Sequence, residues 1–220
     1  MKAIVISDTH SRERKINAFR SLPDDVDMVI HCGDFSHSQK TFDEFLRWYS
    51  NLDIKYKILI AGNHDEIVKE MGRDEMMQIC GILDIIYLQD SSITIEGLKF
   101  HGSPWSPMFG GWPFMMDDFE LDQHWQKIPD DTNILITHGP AYGRCDEVFQ
   151  DGIHDNHVGS RTLEMKIREL KELKYHFVGH IHDSCGEIHT SNDGKLITHN
   201  ASIMNFWFRP DNQPHIFQLN

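Results

Sequence analysis

The sequence contains no run near the roughly 18 consecutive apolar residues that a membrane-crossing helix needs. Its opening, MKAIVISDTH, reaches the carboxylate of Asp8 before the apolar stretch of a secretory leader can form. These absences lead to the expectation of a protein that works in the cytoplasm without a membrane partner. Cysteine is scarce: Cys32, Cys80, Cys145 and Cys185 stand singly with no C-x-x-C pair, as expected for reduced structural thiols rather than a disulfide framework. Basic residues are outnumbered, 21 against 34 acidic for a net charge of -13, which argues against nucleic acid or anionic membrane as a partner. Linkers, repeats and low-complexity blocks are missing too. The 220 residues are therefore expected to form one domain, 1–220, large enough to bury a core without staples.

Most of the composition is ordinary. With 40% hydrophobic and 25% charged residues, the chain is neither a disordered tail, a collagen-like repeat nor a coiled-coil rod. Histidine is the exception, at 15 residues of 220. Neutral imidazole is the commonest metal ligand and the readiest proton carrier near neutral pH, so the excess hints at metal chemistry.

Hydrophobic periodicity sets out an α/β start. Lys2 to Ser7, Val26 to His31 and Tyr56 to Ile60 are short β-branched runs suited to a buried sheet, with helical patterns between them at Arg12 to Arg20 and Ser38 to Ser50. In the latter, Phe42, Phe45, Leu46 and Tyr49 form one apolar face. Ile85 to Phe100 reads as consecutive strands turning at Glu96-Gly97, and Ser103 to Met116 as an irregular aromatic loop. Asn133 to Thr137 is predicted to be a strand and Arg161 to Lys174 a surface helix. Strands then follow at Tyr175 to Gly179, Glu187 to Thr190, Lys195 to His199 and His215 to Leu219.

Polar residues recur where five of these strands end: Asp8-Thr9-His10, Gly33-Asp34, Gly62-Asn63-His64-Asp65, Thr137-His138-Gly139 and Gly179-His180-Ile181-His182. Any one of them alone is commoner as a turn or a solvated strand end. Five, each directly after an apolar strand and beside glycine or another small residue, point instead to side chains held still against a shared ligand. Carboxylate, amide and imidazole donors without thiolate suit two divalent ions of Mn, Fe or Zn, and suit calcium poorly.

The blocks D-x-H, G-D, G-N-H-D, H and G-H-x-H, complete and in this order, resemble the calcineurin-like metallophosphoesterases, with the similarity running from Lys2 to about Ala201. Within that superfamily, ISDTHS, IAGNHD, IYLQDS, the SPW segment and THGP are most similar to the metallophosphoesterase-domain brain proteins and the class III cyclic-nucleotide phosphodiesterases. The resemblance implies a four-layer α/β/β/α sandwich of two mixed sheets flanked by helices. It also implies one metal on Asp8, His10, Asp34 and His182, a second on Asp34, Asn63, His138 and His180, and His64 as a non-ligating catalytic histidine facing the phosphate.

Two dications can clamp a phosphoryl group and lower the pKa of a bridging water, so that hydroxide attacks phosphorus near neutral pH. They would also create local attraction for phosphate inside an acidic protein. Arg144 could reach a phosphate oxygen, and Trp105, with Phe109 and Trp112, could stack on a nucleobase or instead fold into an apolar cluster. His154 and His157 sit where they could rim a cleft or stay solvated, and His37, which could serve near the cleft or equally lie on the helix start at Ser38, is assigned no role. Protein phosphatases follow their G-D block with Asp and Arg, whereas here Phe35-Ser36-His37 follows, which disfavours a phosphoprotein substrate. The expected partner is a small phosphodiester such as a cyclic nucleotide. The alternatives are a nuclease, a phosphomonoesterase or a non-catalytic scaffold on the same fold, and a homodimer stays open.

Overall fold

Alternation at the shortest spacing decides how the strands are used. The computed structural model describes residues 1–20, 23–149 and 156–220. Its elements in chain order are β1 (Lys2–Ile6), β2 (Met28–His31), α1 (Gln39–Ser50), β3 (Tyr56–Leu59), α2 (Glu66–Met71), α3 (Arg73–Ile82), β4 (Ile86–Tyr87), β5 (Ser91–Ile95) and β6 (Leu98–Ser103). There follow β7 (Ser106–Pro107), β8 (Met115–Met116), α4 (Asp118–Trp125), β9 (Ile134–Thr137), α5 (Arg161–Glu169), β10 (Tyr175–Val178), β11 (Ile188–Thr190), β12 (Ile197–Asn200) and β13 (His215–Gln218). One sheet runs β13-β1-β2-β3-β4 and the other β11-β12-β10-β9-β6-β5. Strands β1 to β4 are mutually parallel, as are β6, β9, β10 and β12, while β13, β11 and β5 flank them antiparallel.

Successive side chains on a strand face opposite ways. Ala3, Val5, Met28, Ile30, Ile58, Ile134, Ile136 and Phe177 belong to one buried cluster, which forms the seam between the sheets. Their strand neighbours Ile4, Val29, Leu59 and Leu135 belong to a second cluster with Phe42, Phe45 and Tyr49 of α1, Met76 of α3, and Leu163 and Ile167 of α5. Helices thus cover the outer faces, and the four-layer α/β/β/α sandwich is the observed architecture.

Two local expectations change. Arg12 to Arg20 is not an α-helix but two 3-10 turns, Glu13–Lys15 and Asn17–Arg20. The break falls at Ile16, whose extended backbone (φ -77°, ψ 103°) carries its side chain into a small cluster with Ile203 and Met204. The helix from Arg161 stops at Glu169 because Leu170 is extended, yet Leu170 and Leu173 still reach the core.

Candidate metal centre

The parallel strands β1, β2, β3, β9 and β10 all deliver their C-terminal loops to one edge of the sandwich, where α/β sheets generally bind ligands. The loops are stitched together by backbone hydrogen bonds: Asp8 N–H donates to the Gly33 carbonyl (2.9 Å), His10 N–H to that of Asp34 (3.0 Å) and Gly179 N–H to that of His138 (3.0 Å). Asp65, fully buried, accepts from the backbone N–H groups of Gly62, Asp34, Phe35 and Ser36, tying the G-N-H-D loop to the G-D loop.

Six of the seven predicted donors come together here, and the seventh, His180, stands beside them. Ligand atoms of Asp8, His10 and His182 lie within 4.8 Å of one another, and so do those of Asp8, Asp34 and His138. The two groups share Asp8. Asp34 also spans them, with its Oδ2 3.8 Å from His10 Nε2 and 3.4 Å from His138 Nε2. Asn63 Oδ1 sits 3.0 Å from His138 Nε2, while the Asn63 amide nitrogen is buried without a partner. His180 stands alongside, its backbone N–H donating to Asp8 Oδ2 (3.0 Å) and its ring 5.0 Å from that of His138.

The donor set fits cations. Asp8 and Asp34 are 0% and 2% exposed, and two carboxylates so close in a dry site need compensating positive charge. The Nε2 atoms of His10 and His182 stand 3.3 Å apart, and that of His182 also lies 3.2 Å from Asp8 Oδ1, so one ion could replace the proton these atoms share. Titration follows the same logic. Burial pushes the Asp8 carboxyl up, but its hydrogen bond to His182 and the charges of His182 and His138 outweigh this and hold it low. Burial likewise opposes protonation of His138, yet the charge and hydrogen bond of Asp34 raise it to about 9. His10 and His180 are pushed by burial to about 4 and about 3, so they are neutral near pH 7, whereas His138 and His182, both raised by the carboxylates beside them, would release a proton on taking up a metal.

Close packing leaves the loops little freedom. A Cβ on Gly33, where φ is +99°, would lie 2.7 Å from the Ala61 carbonyl oxygen and from His138 Nδ1. On Gly179 it would run into Ser7 and the Asp8 carboxylate. His138 is aimed by the Cys32 carbonyl, 2.8 Å from its Nδ1, which leaves Nε2 turned to Asn63 and Asp34.

His64 lies beside the donors without joining either group. Its backbone N–H donates to Asp34 Oδ1 (2.7 Å), and its ring is 5.1 Å from that of His10 and 4.6 Å from that of Trp112. His37 gains a place that the sequence reading did not give it. Its Nε2 is 2.9 Å from His10 Nδ1, its ring stacks on that of His10 at 4.9 Å, and it lies 5.3 Å from His64. The signal available in the sequence was its position three residues after Asp34.

Two substrate-contact expectations are corrected by packing. Trp105 is buried, its indole N–H donating to Asp90 (3.2 Å) and its ring against His124 and Phe114, so it has no face free for a base. Arg144 is engaged with Glu164 through Nε (2.6 Å) and Nη2 (3.2 Å) on the α5 side rather than with the donor cluster. The aromatic loop is therefore divided: Trp105 and Phe114 join the core, while Phe109 and Trp112 remain exposed. His157 binds the buried Asp146 (2.7 Å), and His154 lies outside the described residues. A further aromatic that the sequence did not flag is Phe208, whose ring is 5.3 Å from His10 and 4.7 Å from His182.

Comparison with known proteins identifies the family and the fold. The family described as calcineurin-like phosphoesterase matches residues 1–184. The human metallophosphoesterase domain-containing protein 1 is 31% identical over 239 residues, covering 98% of this chain and 70% of that protein. Among solved structures, a dimetal phosphatase from Danio rerio superposes with a TM-score of 0.58 at 13% identity, covering 97% of this chain and 90% of that one. The phosphopantetheinyl hydrolase of Mycobacterium tuberculosis does so at 0.58 and 14%, covering 91% and 88%. At such identities the structural likeness establishes the fold.

Proposed function

The chain belongs to the calcineurin-like phosphoesterase family, whose activity class is metal-dependent phosphoester hydrolysis, and on that premise we propose that it hydrolyses small phosphodiesters, cyclic nucleotides or similar esters, with two divalent ions of Mn, Fe or Zn. The observation that supports this reading is the convergence of six oxygen and nitrogen donors from five strand ends on one largely buried cluster, with His180 beside them. Asp8, His10, Asp34 and His182 would hold one ion and Asn63, His138 and His180 the other, with Asp34 common to both. Bound there, the ions supply Lewis-acid charge to the phosphoryl group and bring the pKa of water toward neutrality.

The chain's own groups do the rest. Asp65 and the backbone ladder hold the donors in place, and His138 is oriented by the Cys32 carbonyl. His64, anchored through its backbone to Asp34 but with its ring outside both donor groups, holds a proton for the departing oxygen. Four unpaired cysteines suit a reducing compartment, in keeping with a cytoplasmic location. No helix among the described residues is long and apolar enough to cross a membrane.

The test is turnover of bis(4-nitrophenyl) phosphate by the Mn-loaded chain, with metal content measured in parallel. Asp34→Ala and His138→Ala should lose both metal and turnover. His64→Ala should keep its metal and lose on the order of 10²- to 10⁴-fold in kcat. A metal-replete wild type inert toward every phosphoester would end the proposal.

A further inference from the structure

Next to the donor cluster opens a cleft of about 810 Å³, lined by His180 and His182 together with a collar of apolar side chains. The collar comprises Met108 and Phe109 of the aromatic loop, Phe149 and Val158, and Phe206 and Phe208 near the C-terminus, drawn from three separate stretches of chain. All six are exposed, from 40% at Val158 to 72% at Phe149. A single exposed apolar side chain needs no explanation, but a contiguous set rimming a cleft marks a binding surface. Hydrophobic side chains left in water at this density cost solubility unless something covers them during function.

The lining also limits the occupant. Among the described residues neither lysine nor arginine lines the cleft, and apart from its two histidines the ionisable lining residue there is Asp183. Beyond the ions at the centre and Arg12, whose guanidinium donates to the Phe208 carbonyl at the rim, a second phosphate or carboxylate on the substrate would therefore meet little countercharge among the described lining residues, in a protein whose net charge is -13. The cleft is continuous with the candidate centre: Phe208 packs edge-on to His10 and His182, and the Phe109 ring is 5.6 Å from that of His180. A group esterified to a phosphate at the donor cluster thus has apolar walls directly beside it.

We infer that this cleft selects the ester group, and that the site takes phosphodiesters carrying one bulky apolar substituent, alkyl or aryl, and no second anionic group. The inference rests on the phosphodiesterase reading and narrows it. It favours a hydrophobic ester over a polyphosphorylated nucleotide.

A series of alkyl 4-nitrophenyl phosphates from methyl to hexyl tests it, because leaving group and charge stay constant while apolar area grows. Full burial of one methylene is worth about fourfold in binding, and in a half-open cleft about half of that factor is realised, so hexyl should exceed methyl in kcat/KM by on the order of 30-fold. Phe149→Ala and Phe206→Ala change exposed side chains that are not donors to the cluster, so folding is retained, and both should flatten the series. A second readout needs no turnover. On the chelator-treated chain, dihexyl phosphate should displace bound 8-anilinonaphthalene-1-sulfonate at far lower concentration than dimethyl phosphate, and the two phenylalanine variants should erase that preference.

Turnover with a flat dependence on chain length would overturn the inference and leave the hydrolase reading standing. Loss of turnover across the whole series with metal bound would withdraw the hydrolase reading and this inference with it. A stable dimer that Phe149→Ala and Phe206→Ala dissociate would show the collar to be covered by a second copy, which also overturns the inference.

Discussion

Asp8, His10, Asp34 and His180 share an unusual backbone: their φ angles are 54°, 43°, 59° and 69°, in the left-handed region that side chains ordinarily avoid. Each such residue costs on the order of 1 kcal/mol or more and persists only when its surroundings hold it. Here the holding is visible, since Asp34 N–H is gripped by Asp65 (2.8 Å) and His180 N–H by Asp8 (3.0 Å). Seven other described residues, Asp84, Glu96 and Phe114 among them, share this conformation, so what sets the four candidate donors apart is that the backbone grips holding them join one donor loop to another. His37 belongs to the same logic. By fixing His10 at Nδ1 it presents Nε2 toward Asp8 and His182, so His37→Ala should weaken binding of Mn by about 10- to 100-fold while the fold is retained. Isothermal titration with Mn, beside a thermal melt, reads the two effects separately. An unchanged affinity would reduce His37 to a surface residue.

The elements show what the sequence carried openly and what it did not. β1, β2, β3, β9 and β10 were legible because a short β-branched run followed at once by glycine and polar residues has few other uses, and the candidate donors lie at their ends. α1 was legible from Phe42, Phe45, Leu46 and Tyr49 on one face. α2 and α3 went unread because Val68, Met76 and Cys80 are too sparse to declare a stripe, and tertiary packing completes them. The aromatic loop could be recognised but not divided, since the partner that draws Trp105 inward, Asp90, is 15 residues away in sequence. Phe208 gave no sign at all, as its neighbours share no periodicity. Ser38 gives this scale its prediction. Its side chain and that of Thr41 form a reciprocal capping box at the start of α1, four residues beyond Asp34. Ser38→Ala should cost about 1 kcal/mol, a fall of about 2–4 °C in Tm for a chain of this length. A melt that does not move would mean that the cap is dispensable against α1's packed face.

At the scale of the whole molecule, the candidate metal centre takes up only part of the histidine excess. His101, His176 and His199 are buried elsewhere in the second sheet, and burial pushes them to about 4, about 3 and about 4. In the unfolded chain each would take up a proton near pH 6.5, whereas in the folded chain each stays neutral until well below it. Between pH 6.5 and about 4 the unfolded state therefore binds more protons. The stability these residues allow is fully present above pH 6.5 and is lost as the pH falls, at up to about 1.4 kcal/mol per pH unit for each histidine. The carboxylates with lowered pKa, such as Asp90, act in the same direction but at lower pH, below the ordinary carboxylate value of 3.8. Urea midpoints of the chelator-treated chain should thus drop steeply from pH 6.5 to pH 4.5, before most carboxylates are protonated. In His176→Gln, which removes one of the three and its contact with Thr137, the midpoint should be lower near pH 7 and the slope shallower by about one proton, so that the two curves converge as the pH falls. A midpoint independent of pH across that interval would mean that these imidazoles already reach water in the native state, contrary to the burial on which the argument stands.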